Sequence, residues 1–423
     1  MDRRRNTTRL SSCALRNSTA GGIVSKPVKV IIGVIAVLAL GVGVVAVLAN
    51  TVFGGDGGGS SSAMHDNWTG AFAKDCQKRD VTFTNWPIDP SNLRAIIPMG
   101  TMYNDHVDPV EHLYNASTAK GATPSVPVVM PADGWVVAGF NLAGLETNNG
   151  GNGPAMDMGI IIQFSCRYFA RILHLYSLSP DLAAQLADAP TGGQKSVRIH
   201  VGAGQQLGMA GETSDYSLQD LEVDIHSKGF INWQRYVFDA SYLHDIDPFS
   251  VYSGELRQKL DALSTRIAPP KAGKFDVDVP NSAQGTFFRV DGYGIVGPKD
   301  QPNGPQFWKY SLALAPYWND PALSMLSTGH WKSTADASQF FTTDAVDFSK
   351  VGVGQTITVG LVDAKSFDKL AVATRSQIAA APVAGSAVIR VDGGEKLTVE
   401  LFPGIPPAQV KGFDGNEEHY DRS

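Results

Sequence analysis

The sequence predicts a mainly β protein: an N-terminal single transmembrane helix, a β-sandwich domain, a short helix, and a second mainly β domain. Three observations carry that expectation. One uncharged apolar run near the N-terminus is long enough to cross a bilayer. Beyond it, short runs rich in Val, Ile and Phe alternate with Pro, Gly, Asp and Asn, the punctuation of strands and turns. Residues 253–266 form the one well-marked helical segment, with Leu256, Leu260 and Leu263 at helical spacing and Ser253 placed to cap it.

The apolar run is residues 30–49, VIIGVIAVLALGVGVVAVLA, which at about 1.5 Å per residue covers a hydrocarbon core of about 30 Å. Arg3, Arg4, Arg5, Arg9, Arg16, Lys26 and Lys29 precede it, against Asp2 alone, and the next basic residue after it is Lys74. That asymmetry predicts a cytoplasmic N-terminus and extracytoplasmic C-terminal domains, a single-pass protein of the cell membrane. A cleaved signal peptide ending at Ala49 is the rival reading; the length of the run and of the tail before it favour an anchor.

The rest of the chain divides by composition. Residues 1–29 form a basic tail, 30–50 the membrane helix, and 51–62 a Gly/Ser linker containing GGDGGGSSS. A first β domain spans 63–252, a helix and Pro-rich linker 253–274, a second β domain 275–415, and a polar tail expected to fray 416–423. Residues 142–157, rich in Asn and Gly, read as a loop, and 179–194 as a short helix followed by a turn.

A composition 43% hydrophobic and 18% charged is that of a globular protein. The net charge of −6, with no compact Lys/Arg cluster after the N-terminus, argues against a nucleic-acid partner. Of the three cysteines, Cys13 falls on the cytoplasmic side and Cys76 and Cys166 outside. The outer pair forms either a disulfide or two separate thiols, and a cysteine-type zinc site is excluded.

The most informative stretch is 159–226. It holds GIIIQFSCRYFARILHLYSLSP, then VRIHVGAGQQLGMAGET, then LQDLEVDIH. His174-Leu175, the turn Gly204-Gln205-Gln206-Leu207-Gly208, and Gly211-Glu212-Thr213 resemble the C-terminal core of the lysostaphin and LytM class of zinc endopeptidases. The strand opening Pro131-Ala132-Asp133-Gly134-Trp135-Val136 also fits that family. In it a zinc held by two His and one Asp polarises a peptide carbonyl and acidifies a water, and two further His handle protons. The resemblance implies a β-fold with a metal-lined groove and a substrate in the cell wall.

Carried over position by position, the resemblance makes His174 a catalytic residue. The family's closing His-x-His is replaced here by Asp220-Leu221-Glu222, so Asp220 takes the catalytic position and Glu222 a metal-ligand position. Residues at i and i+2 on a strand share a face, which is why the motif needs that spacing. The first ligand motif is replaced by Asp105-His106-Val107-Asp108-Pro109-Val110-Glu111-His112, in which His112 is the candidate ligand and Asp105, Asp108 or His226 could complete the set. The expected cofactor is zinc, or a harder ion such as calcium if carboxylates dominate. His200 and His226 are weaker ligand candidates.

Three functions remain open on the sequence. The first is a membrane-anchored protein whose degenerate endopeptidase domain binds a cell-envelope polymer or regulates a hydrolase. The second is an active metalloendopeptidase with a nonstandard metal site acting on cell-wall peptides. The third is a structural surface protein that contacts other envelope proteins.

Overall fold

The computed structural model describes residues 76–423 apart from 105, 144–155, 192, 238, 296, 299–306 and 332–336. The helix expected at 30–49, the basic tail and the Gly/Ser linker lie outside the described residues. Among the described residues no helix is long and apolar enough to cross a membrane.

The first unit contains β1 (Leu93–Ile97), β2 (Leu113–Ser117), β3 (Val126–Val129), β4 (Gly134–Asn141), β5 (Met158–Gln163), β6 (Tyr168–Leu178), β7 (Gln194–Val201) and β8 (Gln206–Asp220). They form one eight-stranded antiparallel sheet in the order β1-β2-β8-β6-β5-β4-β7, with β3 also paired to β8. This corrects the β-sandwich expectation. A sandwich needs two sheets face to face, whereas these strands share one hydrogen-bonded ladder.

The sheet is apolar on both faces. One face carries Ile160, Ile162, Ala170, Ile172, Tyr216 and Leu218 into the main core, and the other carries Val137, Ile161, Phe169 and Leu173 into a smaller one. Burial on both sides explains why β5, MGIIIQ, stays apolar through Ile162 and has every residue buried.

Helix α1 (Pro180–Leu186) starts with Pro at its first position, where no N–H is needed, and buries Leu182 and Leu186. The short α2 (Ala240–His244) is capped by the Asp239 carboxylate, which accepts from Ser241 N. Helix α3 (Gly254–Leu263) fills the segment expected to be helical. The Ser253 side chain makes no capping hydrogen bond, contrary to expectation, and Leu260 is the helix's buried residue.

The turn 202–205 joins β7 to β8. Gln205 N donates to Gly202 O at 3.0 Å, and Gly204 adopts a left-handed φ of 76°. Gly208 is required for a different reason: a Cβ there would lie 2.1 Å from Ser177 O, so any side chain would push β6 and β8 apart.

The second unit is a closed barrel. Its strands are β9 (Gly285–Arg289), then, after a small ribbon of β10 (Gly292–Gly294) and β11 (Gly297–Pro298), β12 (Ser311–Pro316), β13 (Ser324–Thr328), β14 (Ser338–Thr342), β15 (Thr356–Asp363), β16 (Gly385–Asp392), β17 (Lys396–Pro403) and β18 (Glu418–Asp421). β12 to β18 pair in sequence and β9 closes the ring between β18 and β12. Phe287, Leu314, Leu326, Val359, Ile389 and Val399 belong to the barrel's core. A last helix, α4 (Arg375–Ala380), opens with a reciprocal Thr374–Gln377 capping box.

The tail at 416–423 is therefore not frayed: Tyr420 pairs with Arg289 and Asp421 with Phe288, closing the barrel. Arg422 is buried, donating to Val279 O at 2.7 Å and Ser282 O at 3.0 Å while pairing with Glu395. The expected linker is also packed. Thr265 N donates to Ile96 O and Ile267 N to Asn319 O, each at 2.9 Å, so this segment bridges the sheet and the barrel. Ile97 and Met102 join Ala313, Tyr317, Trp318 and Phe341 in one cluster.

Candidate functional site

The segment between β1 and β2 is folded back on itself, with Gly100 N donating to Val110 O at 2.8 Å and Val110 N to Thr101 O at 3.2 Å. Gly100 has φ 84°, and a Cβ there would meet Lys274 O at 2.1 Å. This fold delivers His112 to the start of β2. Asp108 in the same segment accepts from Ser311 Oγ on β12 at 3.1 Å and is turned away to the barrel.

His174 sits in an irregular stretch of β6. On one side Met158 faces Leu175 and Ile160 faces Ile172, leaving an extra residue in β6; on the other, Leu173 faces Asp215 but Leu175 faces Ala210. The backbone of His174 is left-handed, φ 64°. A non-glycine residue in that region is strained by about 1 kcal/mol or more. Bulges of this kind re-aim side chains and cluster near functional sites.

The two imidazoles are held in the same way. His174 Nδ1 lies 3.1 Å from Asp157 Oδ2, and His112 Nδ1 lies 3.3 Å from Glu111 Oε1. Their opposite nitrogens face one carboxylate: His174 Nε2 is 3.4 Å and His112 Nε2 is 3.7 Å from Asp215 Oδ2. His112, Glu111, Asp157 and Asp215 are buried, and the His174 side chain is 15% exposed. His106 stands beside them, its ring centroid 5.7 Å from that of His112.

The charges are coupled. Burial opposes a proton on His174, but Asp215 and Asp157 outweigh it and hold its pKa well above the usual histidine value. His112 is raised too, against burial, by Glu111 and Asp215. Asp215 is shifted down although burial favours its neutral form, because both histidines face it. Behind His112, the buried Arg171 pairs with Glu111 and lies 3.8 Å from Asp239 Oδ2. Burial would raise Glu111, but His112 and Arg171 keep it ionised.

Orphan polar atoms mark the site. Both ring nitrogens of His112 and the Oδ1 atoms of Asp157 and Asp215 are buried without an aligned hydrogen-bond partner. Such groups are rare in folded proteins and call for a missing partner. A tetrahedral zinc with N and O ligands at about 2.0–2.1 Å has ligand–ligand edges of about 3.3–3.4 Å; the His174–Asp215 distance of 3.4 Å falls there and the His112–Asp215 distance of 3.7 Å is longer. A carboxylate behind the other nitrogen of each imidazole is the arrangement that orients metal-ligating histidines. Yet among the described residues no group of three or more His, Cys, Asp or Glu side chains is gathered to hold a metal ion as it stands.

The structure brings some of the sequence-derived residues together and leaves others apart. His112 and His174 come together, but Glu222 and Asp220 do not join them. Asp220 makes a two-bond pair with Arg167 at 2.8 and 2.6 Å, and Glu222 lies 3.1 Å from the same guanidinium. Asp220 is five residues beyond Asp215 on β8, roughly 16 Å at about 3.3 Å per residue. The expectation that Asp220 and Glu222 stand beside the two histidines is corrected accordingly; the carboxylate that faces both imidazoles is that of Asp215. His200 pairs with Asp133 at 3.0 Å, and His226 packs on Trp233; Asp105 lies outside the described residues.

Asp215, Asp157, Glu111 and Arg171 were missed by the sequence reading. Glu111 was noted only as part of the segment that ends at His112, with no role of its own, and the only signal for Asp157 was its place at the edge of an apolar strand. Cys76 and Cys166, left open above, form a disulfide. No family model matches the chain, and no curated protein matches it.

Proposed function

We propose that the sheet domain is a metallohydrolase domain, similar in its chemistry to the lysostaphin and LytM endopeptidases, acting on peptides of a cell-envelope polymer outside the membrane. One observation carries this reading: two histidines, each backed by a carboxylate at Nδ1, present Nε2 to the same Asp215 oxygen. His112, His174 and Asp215 would be the three protein ligands, the number a catalytic zinc keeps, once their side chains draw together around an ion. An ion held there would supply a Lewis acid and an acidified water. Glu111 and Asp157 fix the tautomers of the two imidazoles, Arg171 keeps Glu111 charged, and His106 is the neighbouring imidazole that takes or returns a proton.

The outer location rests on the apolar run at 30–49, the basic residues before it, and the Cys76–Cys166 disulfide, which persists in oxidising compartments. A second reading, a polymer-binding domain that has lost its metal, is favoured by the raised pKa of both histidines: protons fill the place of the cation.

The test is metal analysis of the full-length chain purified in detergent, joined to an assay on cell-wall cross-bridge peptides. About one zinc per chain, with cleavage lost in His112→Ala and Asp215→Ala, supports the hydrolase. Polymer binding without metal or cleavage supports the second reading instead.

A further inference from the structure

We infer that the chain carries a binding site for a small oxyanion, a carboxylate or a phosphate, at the seam between the sheet and the barrel. A cavity of 170 Å³ opens there, lined by Arg266, Lys274, Gln284, Pro316 and Trp318 among others. At about 30 Å³ per water it has room for about five or six waters, which suits an acetate- or phosphate-sized ion rather than a polymer chain.

Arg266 is the reason for assigning an anion. It is 7% exposed, and among the described residues no carboxylate lies within ion-pair distance of it; Asp320 acts on it only from farther away. Nη1 donates to Trp318 O, while Nε is buried with no hydrogen-bond partner, as is Trp318 Nε1. A buried cation without a carboxylate in direct contact is costly and ordinarily paired. The other buried arginines obey that rule: Arg171 has Glu111, and Arg422 has Glu395. Asp278 also lines the cavity, but its carboxylate accepts from Ile231 N and Thr286 N and lies 3.9 Å from Arg422.

The surroundings fix Arg266 in place. Its N–H donates to Ser264 Oγ at 3.1 Å, its carbonyl accepts from Lys271 Nζ at 2.6 Å, and the next residue is tied to Asn319. Lys274, half exposed at the rim with its ammonium 3.9 Å from Asp276 Oδ1, adds a second, partly offset positive charge. Because Arg266 comes from the segment after α3 and Trp318 from the β12–β13 connection, the bound anion ties the two units together. The site stands apart from His112 and His174 and does not depend on the hydrolase reading.

The experiment is thermal unfolding and calorimetric titration of the full-length chain with inorganic phosphate and, separately, acetate, each against chloride at matched ionic strength. Either anion should raise the melting temperature by several degrees with millimolar affinity. Phosphate alone identifies a tetrahedral ligand, acetate alone a planar one. Lys274→Gln should weaken binding about fivefold, and Arg266→Gln should abolish it; if Arg266→Gln does not fold, Lys274→Gln decides. The inference is overturned if neither anion exceeds chloride, or if Lys274→Gln binds as well as the wild type.

Discussion

His174 Nε2 lies 3.4 Å from Asp215 Oδ2, and the backbone that places it there is left-handed at φ 64°. The strained residue and the shared carboxylate belong to one feature, the irregular pairing of β6 with β8. A regular ladder would have carried the imidazole to a neighbouring position on the sheet.

The strain itself is measurable. His174→Gly and His174→Ala delete the same ring, but only alanine keeps the cost of a Cβ at positive φ. The glycine variant should be more stable than the alanine variant by about 1 kcal/mol in urea unfolding. Equal stability, or a more stable alanine variant, would remove the left-handed conformation from the account.

The carboxylates behind the histidines act through orientation. Asp157→Ala should lower zinc affinity about 10- to 100-fold, read by competition with a coloured chelator, while leaving one zinc per chain at saturation. An unchanged affinity would mean that Asp157 does not set the His174 tautomer.

The Arg167 group should behave differently. Asp220→Ala and Glu222→Ala remove partners of an Arg167 remote from the histidines, so zinc affinity should stay within about twofold of the wild type. A loss like that expected of Asp215→Ala would restore the sequence-derived ligand set.

Asp108 gives a pH dependence with a definite sign. Burial pushes its pKa up to about 7, opposed by the Ser311 hydrogen bond. A carboxyl raised above its unfolded value favours the folded state while protonated, so its contribution is full below about pH 4 and is lost as pH rises through about 7. Asp108→Asn should therefore gain stability relative to the wild type between pH 4 and pH 8. Parallel urea midpoints for the two proteins across that range would contradict it.

Much of the site was readable from residue types, and the rest failed for a countable reason. His174 stood out after an apolar strand and before a Gly-Gln turn, and His112 after the only acidic, histidine-bearing segment upstream. Asp215 did not, because the resemblance placed the closing motif at Asp220-Leu221-Glu222, five residues farther along β8. The step from Leu173↔Asp215 to Leu175↔Ala210 takes five residues on β8 for two on β6, and no local propensity announces it. Closure of the barrel was equally hidden. The pairing of Arg289 with Tyr420 joins distant parts of the chain, and the polar NEEHYDRS end gives little apolar signal, since its buried members are Tyr420 and the multiply bonded Arg422.

Zinc titration with proton counting tests the central claim most directly. Asp215 and the backing carboxylates raise the proton affinity of both imidazoles, so a metal that takes Nε2 competes with protons there. Calorimetry near pH 6.5 in buffers of different ionisation heat should show one zinc bound with release of about one to two protons, both lost in Asp215→Ala. Zinc binding without proton release, or binding that survives Asp215→Ala, would contradict a centre built on His112, His174 and Asp215.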